Sequence, residues 1–358
     1  MKKCLYVLLP TFLLVGGWSL FGEVNPRQAA IEKRLAQALK LYPDSDTNKD
    51  GVLSINEGMA YLEKHPEVRA KLQAAMGGGG SRSQPPSFIP GAKGIRVFVC
   101  GHSYMIFTAG MLPAISKSAG IPYLDAGSQM IGGSQVVQHW NLPDDKNQAK
   151  MSLREGLVDV LMLSPNLLMP DEGINNYTKL GLEKNPELRV LVQASWVPRD
   201  GNNADFVNSQ RDRVTQEQLQ QMRDSQNQNW MVALEEQVAS LNESIGKPTV
   251  FVVPVGEAVL RLRERIARGE APGLKLQSEL FRDDHGHPAP TLALLVSYCH
   301  FAAIHQLSPV GLPVPASIRQ MPEAKELNGL LQQIAWDTVS TYSFSGVKLG
   351  GDSDVSLR

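Results

Sequence analysis

IRVFVC, residues 95–100, is followed immediately by Gly101-His102-Ser103. The run joins β-branched and aromatic residues with almost no polar interruption, a composition typical of a buried β-strand. A helical pattern begins near residue 108, so Ser103 is predicted to stand at a bend between a strand and a helix. Because an open parallel sheet gathers such bends at the carboxyl ends of its strands, we expect the Ser103 hydroxyl at the edge where ligands bind.

Apolar runs and helical patterns alternate along the rest of the chain. Further strands are predicted at 122–126, 158–163, 189–195 and 249–255. Helical patterns lie near 108–119, 146–157, 172–184, 215–245, 257–268 and 290–306. Nearly all-apolar strands that alternate with helices indicate a parallel sheet covered on both faces. The predicted fold class is therefore α/β, with three α/β/α layers.

The N-terminus has the features of a secretory signal peptide. Lys2 and Lys3 precede an apolar run at 5–14, and small residues follow between 16 and 22. The run is short for a membrane span, which needs about 20 residues. We therefore predict cleavage of residues 1–22, a secreted or periplasmic protein and no membrane contact after cleavage. An uncleaved membrane anchor is the alternative.

Composition limits the classes of partner. The chain has 358 residues, 42% of them hydrophobic and 20% charged, and a formal net charge of −1. A nucleic-acid partner would need a concentrated basic surface, so none is predicted. The charge favours a small or neutral ligand, and the sequence leaves the oligomeric state open. Cys100 and Cys299 are compatible with one disulfide or with two buried thiols.

Composition also divides the chain into segments. Residues 23–76 are polar and helical, and residues 77–92 are rich in Gly, Ser and Pro, as linkers are. The α/β alternation occupies 93–315, and residues 316–358 form a C-terminal extension with a further helix near 322–335.

DTNKDGVLSINE, at 46–57, fits the twelve-residue calcium loop of an EF-hand. Gly51 permits the sharp turn, and shifting the frame back to Asp44 puts Lys49 where the glycine belongs. The predicted ligands are Asp46, Asn48, Asp50, the Val52 carbonyl, Ser54 and Glu57. The loop resembles single EF-hands of secreted bacterial proteins, and no second loop is visible. We therefore predict a structural Ca²⁺ and no catalytic cofactor, the alternative being a polar turn that binds no metal.

A second polar motif, Asp284-His285-Gly286-His287-Pro288, precedes the apolar helical pattern near 290–306. An acid three residues before a histidine can turn back to Nδ1 of that ring and leave Nε2 facing a serine. His285 competes as the base, but only His287 has the acid at that spacing and a following proline. The predicted triad is Ser103, His287 and Asp284. The alternative is a polar loop in which Asp284 caps a turn.

An early serine and a late D-x-x-H-P in an α/β chain resemble the SGNH, or GDSL-like, hydrolase family over about residues 93–310. The resemblance implies a flavodoxin-like fold and an oxyanion hole of three donors. These would be the Ser103 N–H, the N–H of either Gly132 or Gly133, and the Asn166 side chain. Two departures stand out. His102 replaces the usual acid beside the nucleophile, and the residues that flank Asn166 differ from the family pattern.

The resemblance also implies a function. It suggests a secreted serine esterase that hydrolyses short-acyl esters, commonly acetyl groups on carbohydrates. His139 and Trp140 lie just after the glycine pair, and Trp196 lies at the end of the fourth predicted strand. All three could wall the substrate pocket, or they could be ordinary packing residues. The rival interpretation is a non-catalytic secreted binding protein with a calcium-stabilised N-terminal module, which the altered Asn166 loop favours.

Overall fold

A computed structural model describes residues 36, 39–47, 49–53, 61, 65, 68, 94–202 and 204–347. The predicted signal peptide, 1–22, and the predicted linker, 77–92, lie outside these ranges. The chain divides into two compact units, Met1–Gln84 and Pro85–Arg358.

The second unit is built on a parallel sheet. Its strands are β1 (Ile95–Gly101), β2 (Tyr123–Met130), β3 (Val160–Leu163), β4 (Arg189–Gln193) and β5 (Val250–Val253). They lie in the order β2-β1-β3-β4-β5, and every neighbouring pair is parallel. The order reverses at β1, so the crevice at the carboxyl end of β1, where Ser103 follows, is the expected binding place in such a sheet.

Helices connect the strands. They are α1 (Thr108–Ser118), α2 (Val136–Trp140), α3 (Gln148–Arg154), α4 (Glu172–Leu182), α5 (Gln216–Gln226), α6 (Val232–Ile245), α7 (Val255–Ala267), α8 (Pro290–His305) and α9 (Ala324–Ser340). A π-helical turn, Asn227–Met231, joins α5 to α6. Within the described ranges, no helix is both long and apolar enough to span a membrane.

Side chains alternate between the two faces of the sheet, and each face has its own buried core. Val97 and Val99 of β1 pack in a cluster with residues of α1, α7, α8 and α9. Phe98 and Cys100 pack in a second cluster with residues of α2, α3, α4 and α6. The fold is thus α/β, a five-stranded parallel sheet flanked by helices.

The two cysteines that the structure describes, Cys100 and Cys299, lie in different clusters. Cys100 is in the second cluster and Cys299 of α8 in the first, so the sheet separates them and both thiols are free and buried.

β2 extends beyond the predicted 122–126. Residues 127–130 are Gly-Ser-Gln-Met, with no apolar run, yet they pair in register with Phe98–Gly101 of β1 after a bulge between Val97 and Phe98. Gly127 has φ +115°, and a Cβ there would lie 2.9 Å from the Phe98 ring. Backbone pairing along β1 therefore sets the length of this strand.

Residues of the C-terminal extension complete the first core. Leu327, Leu331, Ala335 and Val339 of α9 are buried in the same cluster as α8. Tyr298 of α8 donates to the Asn328 side chain of α9 at 2.8 Å. Residues 324–340 thus belong structurally to the α/β unit.

Candidate active site

Ser103, His287 and Asp283 form a hydrogen-bonded chain at the carboxyl end of β1. His287 Nε2 lies 2.9 Å from Ser103 Oγ, and His287 Nδ1 lies 2.7 Å from Asp283 Oδ2. The His287 ring is almost fully buried, while Ser103 is half-buried. This is the arrangement that activates a serine hydroxyl, because one ring nitrogen is held by a carboxylate and the other faces the hydroxyl.

The carboxylate at His287 is Asp283 rather than the predicted Asp284. Asp283 Oδ1 accepts from the backbone N–H groups of Gly286 and His287, at 3.0 and 3.1 Å. Gly286 has φ +105°, and this left-handed turn brings the acid four residues before the histidine against Nδ1. Asp284 turns away, and its Oδ1 accepts from the Asn208 N–H at 2.7 Å.

Asp283 is held as a carboxylate. Burial alone would raise the pKa of Asp283, but hydrogen bonds from the His287 ring and backbone and from Gly286 lower it to about 2. The negative charge therefore persists at neutral pH. A charged Asp283 keeps the proton on His287 Nδ1 and stabilises the imidazolium that forms when Nε2 accepts a proton.

His285 does not compete for the serine. Its ring stacks on His287 with centroids 5.2 Å apart, and its Nδ1 is buried without a hydrogen-bond partner in the described part of the chain. Burial, together with the neighbouring His287 and Arg199, lowers the pKa of His285.

His102 links the end of β1 to the end of β3. Its Nδ1 faces the Tyr104 N–H at 3.3 Å, while Nε2 faces Ser164 Oγ at 2.9 Å and the Pro165 carbonyl at 3.3 Å. Burial lowers the pKa of His102 to about 4, so the ring is neutral at neutral pH. The residue beside Ser103 therefore anchors the bend and adds no charge to the site.

Aromatic side chains hold the histidine loop. Tyr104 and Trp196 stack in parallel with centroids 4.5 Å apart, and Tyr104 packs edge-on against His287. The Tyr104 hydroxyl donates to the His285 carbonyl at 2.7 Å, and Trp196 Nε1 donates to the Gly286 carbonyl at 3.0 Å. Trp196 thus lies beside the triad, where it supports the loop.

Arg211, which the sequence did not single out, also holds this loop. Its side chain is 0% exposed and lies between the Phe206 and Phe281 rings. It donates to the Asp284 carbonyl at 3.1 Å and pairs with Asp200 at 3.2 Å. Arginine is normally found at the surface, so local sequence gives no reason to expect a buried one. The burial of Arg211 depends on its tertiary contacts.

The predicted oxyanion residues are partly brought together. Asn166 Nδ2 donates to the Gly133 carbonyl at 2.6 Å, and Gly133 has φ +62°. Asn166 follows Ser164 and Pro165, which His102 contacts, so the loop lies next to the Ser103 bend. A primary amide has two N–H donors, so the Asn166 side chain has a second donor in addition to the one bonded to Gly133. Gly132 lies next to Gly133, with open space where a Cβ would be.

His139 and Trp140 are packing residues, so their predicted place in the pocket wall is wrong. His139 is 0% exposed, and its ring nitrogens lie 2.8 Å from Ser134 Oγ and 3.1 Å from Gln129 Nε2. Trp140 packs edge-on against Tyr177 in the core on the second face of the sheet. Both belong to α2, which faces that core.

A cavity of about 650 Å³ opens beside the triad. Its wall includes His102 and Tyr104, the two neighbours of Ser103, together with Asn166, Trp196 and Trp230. Ser103 and His287 are not among the lining residues, so the cavity borders the nucleophile bend without enclosing it. Its volume falls in the range of about 300–1,000 Å³ that is typical of ligand sites.

Comparisons with known proteins give little beyond this geometry. No protein-family model matches the chain, and no curated protein matches it. One similar solved structure is the crystal structure of a DUF4886 family protein from Bacteroides uniformis ATCC 8492. The two chains are 14% identical with a TM-score of 0.44, and the match covers 68% of this chain and 94% of that one. So distant a likeness carries no argument about chemistry.

The candidate calcium loop lies in the first unit. Gly51 N–H donates to Asp46 Oδ2 at 2.9 Å, and Val52 N–H donates to Asp50 Oδ1 at 2.8 Å. Asp46 Oδ1 is buried and has no hydrogen-bond partner among the described residues. The other predicted ligands Asn48, Ser54 and Glu57 lie outside those residues. No group of three or more potential metal-ligating side chains is found where the structure is described.

Buried histidines make the stability of the protein sensitive to acid. Burial lowers the pKa of His102 and His139 to about 4 and that of His300 to about 3. These rings stay neutral in the folded state, but each takes up a proton in the unfolded chain below about pH 6.5. Burial also lowers the pKa of His305 to about 4, so unfolding near pH 5 binds about four protons and the free energy of unfolding falls with falling pH.

We expect the free energy of unfolding, measured by urea denaturation, to fall by several kcal/mol between pH 7 and about pH 4.5. It should change little between pH 7 and pH 8, where these rings are neutral in both states. Equal stability at pH 7 and pH 4.5 would contradict the burial of neutral histidines.

Proposed function

We propose that this protein is a serine esterase of the SGNH type that hydrolyses short-acyl esters. One observation carries the proposal: the continuous hydrogen-bonded chain from Ser103 Oγ through His287 to Asp283, at 2.9 and 2.7 Å. Its position at the carboxyl end of β1, beside a ligand-sized cavity, supports the same conclusion.

The reaction follows from the hydrogen-bonded chain of Ser103, His287 and Asp283. Ser103 Oγ attacks the ester carbonyl carbon while His287 Nε2 takes the hydroxyl proton. The bond to the alcohol oxygen then breaks, and the proton passes from His287 to that oxygen. A water molecule next attacks the acyl group on Ser103, with His287 again taking and returning the proton. The products are a carboxylic acid, an alcohol and the original enzyme.

The negative charge on the carbonyl oxygen needs donors. We assign this role to the Ser103 N–H, the N–H of Gly132 or Gly133, and the second N–H of the Asn166 amide, beside the one that donates to Gly133. The left-handed Gly133 and its contact with Asn166 support a paired arrangement of the last two donors. Removal of one such donor typically lowers kcat about 100- to 1,000-fold.

Hydrolysis of p-nitrophenyl esters tests the proposed activity. We expect the purified protein to hydrolyse the acetyl ester and to lose kcat/KM as the acyl chain lengthens to octanoyl. The preference for a short acyl group follows from the family resemblance described above. Failure to hydrolyse any ester of the series would favour the rival interpretation, a non-catalytic binding protein.

We further propose that residues 46–57 bind a structural Ca²⁺. Asp46 Oδ1, which is buried with no partner among the residues that the structure describes, and the left-handed Gly51 support this, since a carboxylate oxygen out of water needs a partner. Oxygen ligands of this kind suit a hard cation. Among the described candidate ligands, Asp46, Asp50 and the Val52 carbonyl would contribute to the site.

Calorimetric titration of the full chain with Ca²⁺ tests this proposal. We expect one site per chain, with a Kd between about 10⁻⁷ and 10⁻³ M, and its loss in Asp46→Ala. Asp44→Ala, two residues before the loop, is the matched control and should bind normally. Equal binding by both variants, or no binding by the parent protein, would contradict the proposal.

A further inference from the structure

One buried carboxylate, that of Asp171, joins the beginnings of two helices. Asp171 Oδ2 accepts from the Val136 N–H at 2.6 Å, and Oδ1 accepts from the Val137 N–H at 2.9 Å. These two valines begin α2. Oδ1 also accepts at 2.9 Å from the N–H of Gly173, in the first turn of α4. Asp171 immediately precedes α4, so its bond to Gly173 is an ordinary helix cap, whereas its bonds to α2 cross 34 and 35 residues of sequence.

The two helices begin in direct backbone contact. A Cβ on Gly173 would lie 2.3 Å from the Val137 nitrogen and 2.4 Å from the Val136 carbonyl carbon, so no side chain fits between them. The first N–H groups of a helix have no partner within that helix, and here two such sets of donors meet. A carboxylate between them supplies acceptors, and its negative charge is favourable at a helix N-terminus. Asp171 therefore stabilises a contact that would otherwise leave buried N–H groups without these acceptors.

The backbone of Asp171 is itself held in place by α6. Gln237 Oε1 accepts from the Asp171 N–H at 3.0 Å, and Gln237 Nε2 donates to the Asp171 carbonyl at 2.7 Å. The same Nε2 donates to Asn175 Oδ1 of α4 at 2.8 Å. Because both backbone groups of Asp171 are engaged, its side chain has a fixed origin from which it sets the position of α2.

These two helix beginnings follow the loops that carry the proposed oxyanion donors. Gly132 and Gly133 lie four and three residues before α2, and Asn166 lies five residues before Asp171. Gln135 Oε1 accepts from the Asn166 N–H at 3.1 Å, which is a second link between the loops. A displacement of α2 from α4 would thus move the glycine N–H groups relative to the Asn166 side chain. Misplaced donors stabilise an oxyanion poorly, because a hydrogen bond depends steeply on its distance and angle.

We propose that Asp171 is a positioning residue of the oxyanion hole, which holds the loop of Gly132 and Gly133 at a fixed place relative to Asn166. The proposal rests on the esterase activity above, because it concerns the donors of that reaction. Asp171 is buried and acts through the two loops, without touching the ester. Gln135, which is half-buried, reinforces the same link.

Replacement of Asp171 by asparagine tests this role. The amide places an NH₂ group where one carboxylate oxygen was, and in either orientation that group faces a backbone N–H of α2. At least one bond to α2 is therefore lost. We expect kcat for p-nitrophenyl acetate to fall about 10- to 100-fold, with KM changed by less than about threefold.

The corresponding thionoester separates positioning from a general loss of structure. Its sulfur is a weaker hydrogen-bond acceptor than oxygen, so the oxyanion donors contribute less to its hydrolysis. Asp171→Asn should therefore slow the thionoester less than the oxygen ester, and the ratio of the two kcat values should fall about tenfold. Asp159→Asn is the matched control, because Asp159 also accepts from a backbone N–H, that of Arg96 at 2.9 Å, but at the amino end of β3. It should lower Tm and leave the ratio unchanged.

A second pair of variants applies if Asp171→Asn does not fold. Gln135→Ala removes the bond to Asn166 from a half-buried side chain and should lower the same kcat ratio by about threefold or more. Gln138→Ala is its control, because Gln138 Oε1 accepts from the Gln135 N–H at 2.8 Å, within the beginning of α2. An unchanged ratio in folded Asp171→Asn, or in Gln135→Ala if the first variant does not fold, would overturn the positioning role and leave the esterase intact. So would an equal fall of the ratio in Asp159→Asn.

Hydrogen exchange tests the same contact without a substrate. The N–H groups of Val136 and Val137 donate to Asp171, so Asp171→Asn should speed the exchange of at least one of them about tenfold or more. Mass spectrometry of peptides within 131–141 is the measurement, and Asp159→Asn should not change it. If the protein hydrolyses no ester, the esterase proposal fails, while faster exchange in Asp171→Asn alone would still support the fixed position of the loop. Unchanged exchange would overturn it.

Discussion

Replacement of Ser103 by alanine is expected to lower kcat for p-nitrophenyl acetate by about four to six orders of magnitude. Replacement of His287 by alanine should lower it by a similar factor, because the two groups act as one unit through their 2.9 Å contact. The double variant should be hardly slower than either single variant. This non-additivity is itself a prediction, since independent contributions would multiply.

The neighbouring histidine supplies a matched control for His287. His285 stacks on His287, but its Nδ1 has no hydrogen-bond partner in the described residues. His285→Ala should therefore lower kcat by about tenfold at most, through a small shift of the His287 ring. Circular dichroism should show native folding in every variant. Activity that survives in Ser103→Ala, or a His285→Ala variant as inactive as His287→Ala, would contradict the assignment.

Replacement of Asp283 by asparagine is expected to lower kcat about 10⁴-fold. The amide would remove the negative charge that keeps the proton on His287 Nδ1, so Nε2 would no longer be free to accept the serine proton. Ester hydrolysis across a range of pH is the measurement. Because the pKa of Asp283 is held near 2, no loss of activity from its protonation is expected between pH 7 and pH 5.

Asp284→Asn is the control, since the two aspartates are adjacent and differ only in their contacts. Asp284 Oδ1 accepts from the Asn208 N–H, and the oxygen of an asparagine can accept the same bond. We expect less than about a tenfold loss of kcat. A large loss in Asp284→Asn with little effect in Asp283→Asn would mean that the acid at His287 is misassigned.

The sequence predicted the α/β sheet because four of its five strands are apolar runs buried on both faces. The fifth, β2, was predicted too short because Gly127 to Met130 lack an apolar pattern and are set by pairing with β1. The helical pattern at 215–245 was correct in extent but did not reveal the π-helical turn within it. A wide turn of this kind depends on packing across the cavity, which local periodicity does not record.

Some residues of the candidate site could likewise be predicted from the sequence, and others could not. The sequence singled out Ser103 and His287 through their local motifs, and the structure brings the two side chains together. It assigned the acid to Asp284 because of its three-residue spacing from His287, whereas the left-handed Gly286 and two backbone N–H groups place Asp283 there. Arg211 and Tyr104 hold the loop through contacts distant in sequence, so no local pattern could indicate them.

Covalent labelling tests the central claim, a nucleophilic Ser103, most directly. A fluorophosphonate forms a stable bond to an activated serine, with loss of fluoride, and does not require the natural substrate. We predict one label per chain, mapped by mass spectrometry to the peptide that contains Ser103, and much slower labelling of His287→Ala. No label on the intact protein, or a label on another serine, would contradict the account.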